Sequence, residues 1–213
     1  MSEHRLLTSE GEARAYLEAF ADGEAKGRLQ LYVELLLKEN QRQNLISKPS
    51  EASLWVRHLA DSAQLLEHID PRDHSADCPG PWMDLGSGPG LPGLVLAILR
   101  PEQPFVLVES RARRVEFLEN CVSRLGLANC DVLGERLERV EPFSAWVISA
   151  RAFAPLEKLL RLSAPFSTNE TRFLLPKGRS AAHELEQSKP SIRSMFHVKH
   201  SLTDADAGII VSR

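Results

Sequence analysis

The sequence is short of several things at once. It holds three cysteines, Cys78, Cys121 and Cys130, in 213 residues. Three thiols cannot all pair with one another and their spacing matches no zinc motif. This argues against a disulfide scaffold or a zinc module, and reduced thiols are expected. Positive charge is not in excess: 26 lysines and arginines face 29 acids, a net charge of −3 with a pI near 6.2. Broad, sequence-indifferent nucleic-acid binding needs many phosphates neutralised, so it is disfavoured. A local basic patch on one chosen RNA remains open. No apolar run is long enough to span a bilayer. The start, MSEHRLLTSEGEARAYLEAF, lacks a basic segment followed by an apolar one, so no signal peptide, no membrane partner and a cytoplasmic location are expected. Internal repeats and low-complexity tracts are missing too. What remains, 43% hydrophobic and 26% charged, is a globular composition whose length suits one domain with an appendage.

The first third reads as helical. EAKGRLQLYVELLLKEN puts Leu29, Val33, Leu36 and Leu37 on one side at spacings of three and four. PSEASLWVRHLADSAQLLEHI opens with Pro49-Ser50 as an N-cap region and carries Trp55, Leu59 and Leu66 on one face. A helical extension over 1–70 follows, then a turn-rich linker over 71–81. Beyond it, strand-like runs at 81–85, 105–109, 129–133, 145–149 and 172–175 alternate with helical runs at 92–99, 111–125, 135–140, 155–163 and 181–187. Such alternation implies a doubly wound α/β domain over 82–213 with a parallel sheet. Two last strands, about 195–202 and 208–212, have no helix between them and suggest an antiparallel hairpin at one edge.

Ligands of such a sheet bind at the carboxyl ends of its strands, near the point where strand order reverses. DLGSGPGLPG (84–93) is the loop there. Its glycines admit a left-handed backbone and close approach of a ligand, and Pro92 fits the first turn of the next helix. The loop is expected to present backbone N–H groups. Two ligands compete. Gly88, Gly90 and Gly93 satisfy G-x-G-x-x-G, with Glu109 about 20 residues on, as in a nicotinamide oxidoreductase. The fuller pattern is D-x-G-x-G-x-G from Asp84, Gly86, Gly88 and Gly90. A carboxylate there would repel a pyrophosphate, and prolines 89 and 92 remove N–H donors. It suits the cationic end of S-adenosylmethionine, directly or through water, with Glu109 accepting the ribose hydroxyls. S-adenosylmethionine is the favoured reading.

NLIS (44–47), RHLADS (57–62), DLGSGPGLPG (84–93), ESRARRVEFL (109–118), ERLE (135–138) and ISARAF (148–153), in this order, resemble one family. It is that of the bacterial small-subunit ribosomal RNA guanine-N7 methyltransferases, once called glucose-inhibited division protein B. The resemblance runs from about residue 28 to the C-terminus. It implies a class I S-adenosylmethionine-dependent methyltransferase, Rossmann-like, with a mostly parallel seven-stranded sheet and an N-terminal helical extension. The implied reaction transfers a methyl group to N7 of the guanosine at position 527, in the 530 loop of 16S rRNA. By the same resemblance Gly86 and Leu91 contact the cofactor, Leu137 and Glu138 flank its adenine, and Arg151 lines the site. The ribose acid is Glu109 where aspartate is common.

The chemistry agrees with the residues. N7 of guanine has a free lone pair and needs no general base, so catalysis is mainly alignment. Neither Cys121 nor Cys130 sits at a strand's carboxyl end, where a C5-methylating thiol would be. Arg151 is the catalytic candidate; it can stack on a base, bond guanine O6 or hold a phosphate. Its bland alternative is an ion pair with Glu138. Arg113 and Arg114, clustered with Arg111 against the dipole of the following helix, are RNA-phosphate candidates, with Glu116 as the competing partner. Lys177 in LLPKG is a third. Arg57 and Asp61 could simply pair, and His58 reads as a structural histidine. The histidines of HVKH (197–200) face opposite ways on a strand, so no metal is expected. The partner is then 16S rRNA or the small ribosomal subunit, and the protein a monomer. A non-catalytic RNA-binding assembly factor is the remaining alternative.

Overall fold

The computed structural model describes residues 6–69 and 80–213. The linker expected at 71–81 lies outside the described residues except for Gly80 and Pro81, and so does Cys78.

The extension starts with α1 (Glu10–Leu17), whose Ser9 and Glu12 form a reciprocal capping box. In α2 (Gly23–Gln43), Asp22 accepts the N–H of Ala25 at the start, and Asn44 ends the helix at a φ of 52°. Its buried stripe is Leu29, Tyr32, Val33 and Leu36, with Leu37 at the margin. The short α3 (Lys48–Glu51) has Ser47 rather than Pro49-Ser50 at its N-cap, and Pro49 sits in the first turn, where its missing N–H costs no bond. A π-spaced turn over Trp55–Ala60 runs into α4 (Asp61–Ala63) and a 3-10 turn over Gln64–His68. Trp55, Leu59 and Leu66 are all buried.

After β1 (Trp82–Leu85) come α5 (Gly93–Leu99), β2 (Phe105–Val108), α6 (Ala112–Leu125), β3 (Cys130–Leu133) and β4 (Val147–Ser149). Then follow α7 (Leu156–Ser163), β5 (Arg172–Gly178), α8 (Ala181–Gln187), α9 (Pro190–Met195), β6 (Phe196–His200) and β7 (Gly208–Ser212). The seven strands form one sheet in the order β3-β2-β1-β4-β5-β7-β6. The first five are parallel, and β7 runs antiparallel to both β5 and β6. Three expectations change. The helix expected at 135–140 is a 3-10 turn over Leu137–Arg139. Strand β5 runs three residues further than expected because β7 pairs with it past an irregularity at Pro176, which has no N–H to give. Helix α9, opened by Pro190, was not anticipated.

Strand order reverses between β2 and β4, on either side of β1, and that opens the cleft. All four residues of β1 are buried, as in a strand covered on both faces. Helix α5, GLVLAIL, is buried at all seven positions. It is apolar all round because the sheet covers one side while α2 and α4 cover others. A single hydrophobic cluster runs from Ala13 and Leu29 through Leu94 and Ile98 to Val147. A second fills the opposite face of the sheet with Met83, Leu85, Ile148, Leu159 and Phe196.

Candidate active site

The glycine loop turns from β1 into α5 with φ values of 66°, 57° and 91° at Gly86, Gly88 and Gly90. Gly86 is needed for space as well: a Cβ there would lie 2.6 Å from the ring of Phe153. At Gly93 a Cβ would run into Leu107 and the Asp84 carboxylate.

Contrary to expectation, the loop offers few amides. Gly86 and Ser87 donate to the Val108 carbonyl (2.8 and 3.1 Å), and Gly90 and Leu91 to that of Ser87 (2.8 and 3.2 Å). Leu94 donates to Gly90 (2.8 Å). Gly88 donates to Glu109 Oε2 at 3.1 Å and Gly93 to Asp84 Oδ2 at 3.2 Å. Prolines 89 and 92 have no N–H. A pyrophosphate bound by the fingerprint loop needs such donors, so the nicotinamide reading loses its physical basis. Tyr32 secures the loop from outside: its buried hydroxyl donates to the Pro89 carbonyl at 2.9 Å.

Asp84 is committed inside the protein. It is fully buried, and its Oδ1 accepts the Ser149 hydroxyl at 2.7 Å while that hydroxyl accepts the Trp82 indole N–H at 3.0 Å. Burial pushes its carboxyl up, against the bonds from Ser149, Ser87 and Gly93. These bonds make Asp84 a brace across β1, β4 and α5. Leu91 is likewise buried, with its N–H spent inside the loop.

Glu109 directly follows β2, with 6% of its surface exposed. Its Oε1 accepts the N–H groups of Ser110 (2.7 Å) and Arg111 (2.9 Å), and its Oε2 that of Gly88. It thus ties the glycine loop to the start of α6. Arg114 reaches the same carboxylate at 3.6 Å, so its partner is Glu109 and not Glu116. Arg113 and Arg111 are exposed beside it. Past β3, Leu137 is buried and Glu138 exposed.

Arg151 follows β4 in a segment whose next residue, Ala152, has a φ of 53°, a left-handed conformation that a side chain tolerates poorly. Its ion-pair partner is Asp61, at 3.7 Å, not Glu138. Its Nη1 also lies 3.1 Å from His58 Nδ1. Arg57 pairs with Asp204 at 3.9 Å rather than with Asp61. Burial, then Arg151 and Arg57, hold the His58 pKa down to about 3. Burial pushes the Asp61 carboxyl up, with Arg151 and Thr203 opposing. His58 and Asp61 were not foreseen at the site; the signal was their place in RHLADS.

Arg57, His58, Asp61, Arg151, Phe153 and Lys177 help line a cleft of about 880 Å³. Lys177 is not free for RNA. With its side chain 7% exposed, Nζ donates to the Ala154 carbonyl (2.7 Å) and to Glu184 (3.0 Å). Burial pushes the Cys121 and Cys130 thiols up to about 12, which leaves no useful thiolate at neutral pH. Among the described residues no group of three His, Cys, Asp or Glu side chains is placed to hold a metal, and no helix is long and apolar enough to cross a membrane.

This sheet order and its glycine loop at the switch point define a class I S-adenosylmethionine-dependent methyltransferase. The family model for rRNA small subunit methyltransferase G matches residues 25–208, and the chain belongs to that family. The ribosomal RNA small subunit methyltransferase G of Erythrobacter litoralis is 51% identical over 208 residues, covering 98% of each chain. That of Sphingopyxis alaskensis is 50% identical, covering 99% of this chain and 89% of the relative. A mutant of MtNAS solved in complex with S-adenosylmethionine shares the fold, with a TM-score of 0.54 at 16% identity over 97% of this chain and 84% of that one.

S-adenosylmethionine is the cofactor, and the residues fit it. The loop offers backbone without Cβ atoms at Gly86, Gly88 and Gly90, beside the Glu109 carboxylate. That set suits a nucleoside with a sulfonium tail.

Proposed function

We propose that the protein transfers a methyl group from S-adenosylmethionine to N7 of guanosine 527 in the 530 loop of 16S rRNA. One observation carries the choice of atom. The two titratable groups that meet Arg151 are committed to protein partners: His58 to Arg151 and Ser50, Asp61 to Arg151 and Thr203. Neither stands free as a general base beside Arg151, and attack by the N7 lone pair needs none.

When bound, the cofactor supplies a methyl group on a cationic sulfur. In this reading Glu109 accepts the ribose hydroxyls, Gly86 and the loop backbone including Gly88, Gly90 and Leu91 form the floor, and Leu137 and Glu138 flank the adenine. Asp84 acts behind the loop as its brace. Arg151 touches the target, donating to guanine O6 or to a phosphate. Arg113, with Arg111, meets RNA phosphates, while Arg114 serves Glu109 and Lys177 holds the segment after Arg151. The target base leaves its stack to reach the methyl group. Shape and local contacts on a folded particle explain recognition by a chain of net charge −3. The reading includes a monomer acting on the small subunit in the cytoplasm.

The test is transfer from labelled S-adenosylmethionine to small subunits lacking their native N7 methyl group, mapped by chemical cleavage at 7-methylguanosine. Incorporation at one 530-loop guanosine is expected. Incorporation elsewhere, or none with cofactor binding intact, overturns the assignment.

A further inference from the structure

His58 and Asp61 sit three apart on one helical run of the extension, and both meet the guanidinium of Arg151. A guanidinium only donates, so His58 Nδ1 must accept. The ring is then neutral, with its proton on Nε2, which donates to Ser50 Oγ at 3.0 Å. Ser50 Oγ donates onward to the Ser47 carbonyl at 2.8 Å. This chain of bonds fixes tautomer and ring orientation together. Asp61 is equally immobilised: its Oδ1 accepts Thr203 Oγ1 and Gln64 Nε2, both at 2.8 Å, which leaves Oδ2 toward Arg151. Arg151 stands in an irregular segment with a left-handed neighbour, so its own backbone does little to aim it. Two rigid acceptors from another part of the chain do.

We propose that His58 is a positioning residue: with Asp61 it brackets the Arg151 guanidinium and holds its remaining N–H groups toward the substrate. This rests on the reading of Arg151 as a substrate contact. In a reaction whose catalysis is alignment, loss of the bracket should appear in kcat more than in cofactor affinity.

The experiment is a double-mutant cycle on methyl transfer, with cofactor Kd measured alongside. His58→Ala is expected to lower kcat about tenfold with Kd within about threefold, since removal of one support leaves Arg151 present but unaimed. His58→Asn, whose Oδ1 stands where Nδ1 stood, should recover most of that loss. In an Arg151→Ala background His58→Ala should cost nothing further, because residues acting through one group are non-additive. The same cycle with Asp61→Asn serves if His58→Ala does not melt cooperatively. An equal loss from His58→Ala with and without Arg151, or no recovery in His58→Asn, overturns the proposal and leaves Arg151 in its role. Wild-type transfer by Arg151→Ala removes that role and the proposal with it.

Discussion

The two sides of the switch point solve the same problem in opposite ways. On the β1–β2 side the polar groups are backbone amides, and nearly all are consumed by the loop itself, by Glu109 and by Asp84. That side works by shape. On the β4–β5 side the polar groups are long charged side chains paired with one another, Arg151 with distant Asp61 and Lys177 with nearby Glu184. That side works by orientation, and a partner can exchange for a protein contact there. A shape should fail abruptly when filled, whereas an oriented charge should fail in rate.

Filling the shape should have the largest effect. Gly86→Asp puts a branched acid at a φ of 66° against the Phe153 ring, and cofactor affinity should fall at least about a hundredfold by titration calorimetry. Unchanged affinity would refute the account of the loop. Arg151→Ala should lower kcat by about a hundredfold while melting within a few degrees of wild type, because its removal leaves only Asp61 and His58 to rehydrate. A large loss of stability instead would make Arg151 a structural ion pair. Asp84→Ala separates brace from contact. It leaves the Ser149 hydroxyl without an acceptor and the Gly93 amide buried without a partner, and urea denaturation should show a loss of about 3 kcal/mol. Tyr32→Phe removes one buried hydroxyl from the Pro89 carbonyl, about 1 kcal/mol, with a modest weakening of cofactor binding. The last test reads a slope. Folded His58 stays neutral down to about pH 3, whereas its ordinary value is 6.5. Below pH 6.5 the unfolded chain binds more protons at this site, so its contribution to stability falls as pH falls. Stability curves of wild type and His58→Asn should converge over that window; parallel curves would count against a neutral, bonded ring.

The shape side was largely legible in sequence, because it depends on residue types at fixed spacing. The alternation that marked β1, β2 and α6 left the glycine loop only one place to be, at the switch point. What was not legible was direction. Asp84 reads as a site acid, yet a strand covered on both faces has no solvent side to offer it, and the apolar residues on both sides of it in WMDL were the available hint. The oriented side was harder still. Asp61 and Arg151 lie 90 residues apart, and nothing in either segment alone says that they meet. Lys177 looked free because its acceptors, the Ala154 carbonyl and Glu184, come from a bend and a helix that fold against it.

Helix α5 carries a consequence for biogenesis. A segment that is apolar on every side has no soluble resting place until both its covers exist. One cover, α2 and α4, leaves the translating ribosome first; the other, the sheet, is still being made when α5 emerges. A chain cut just before β1 is expected to leave the first flank of α5 bare and to aggregate rather than fold.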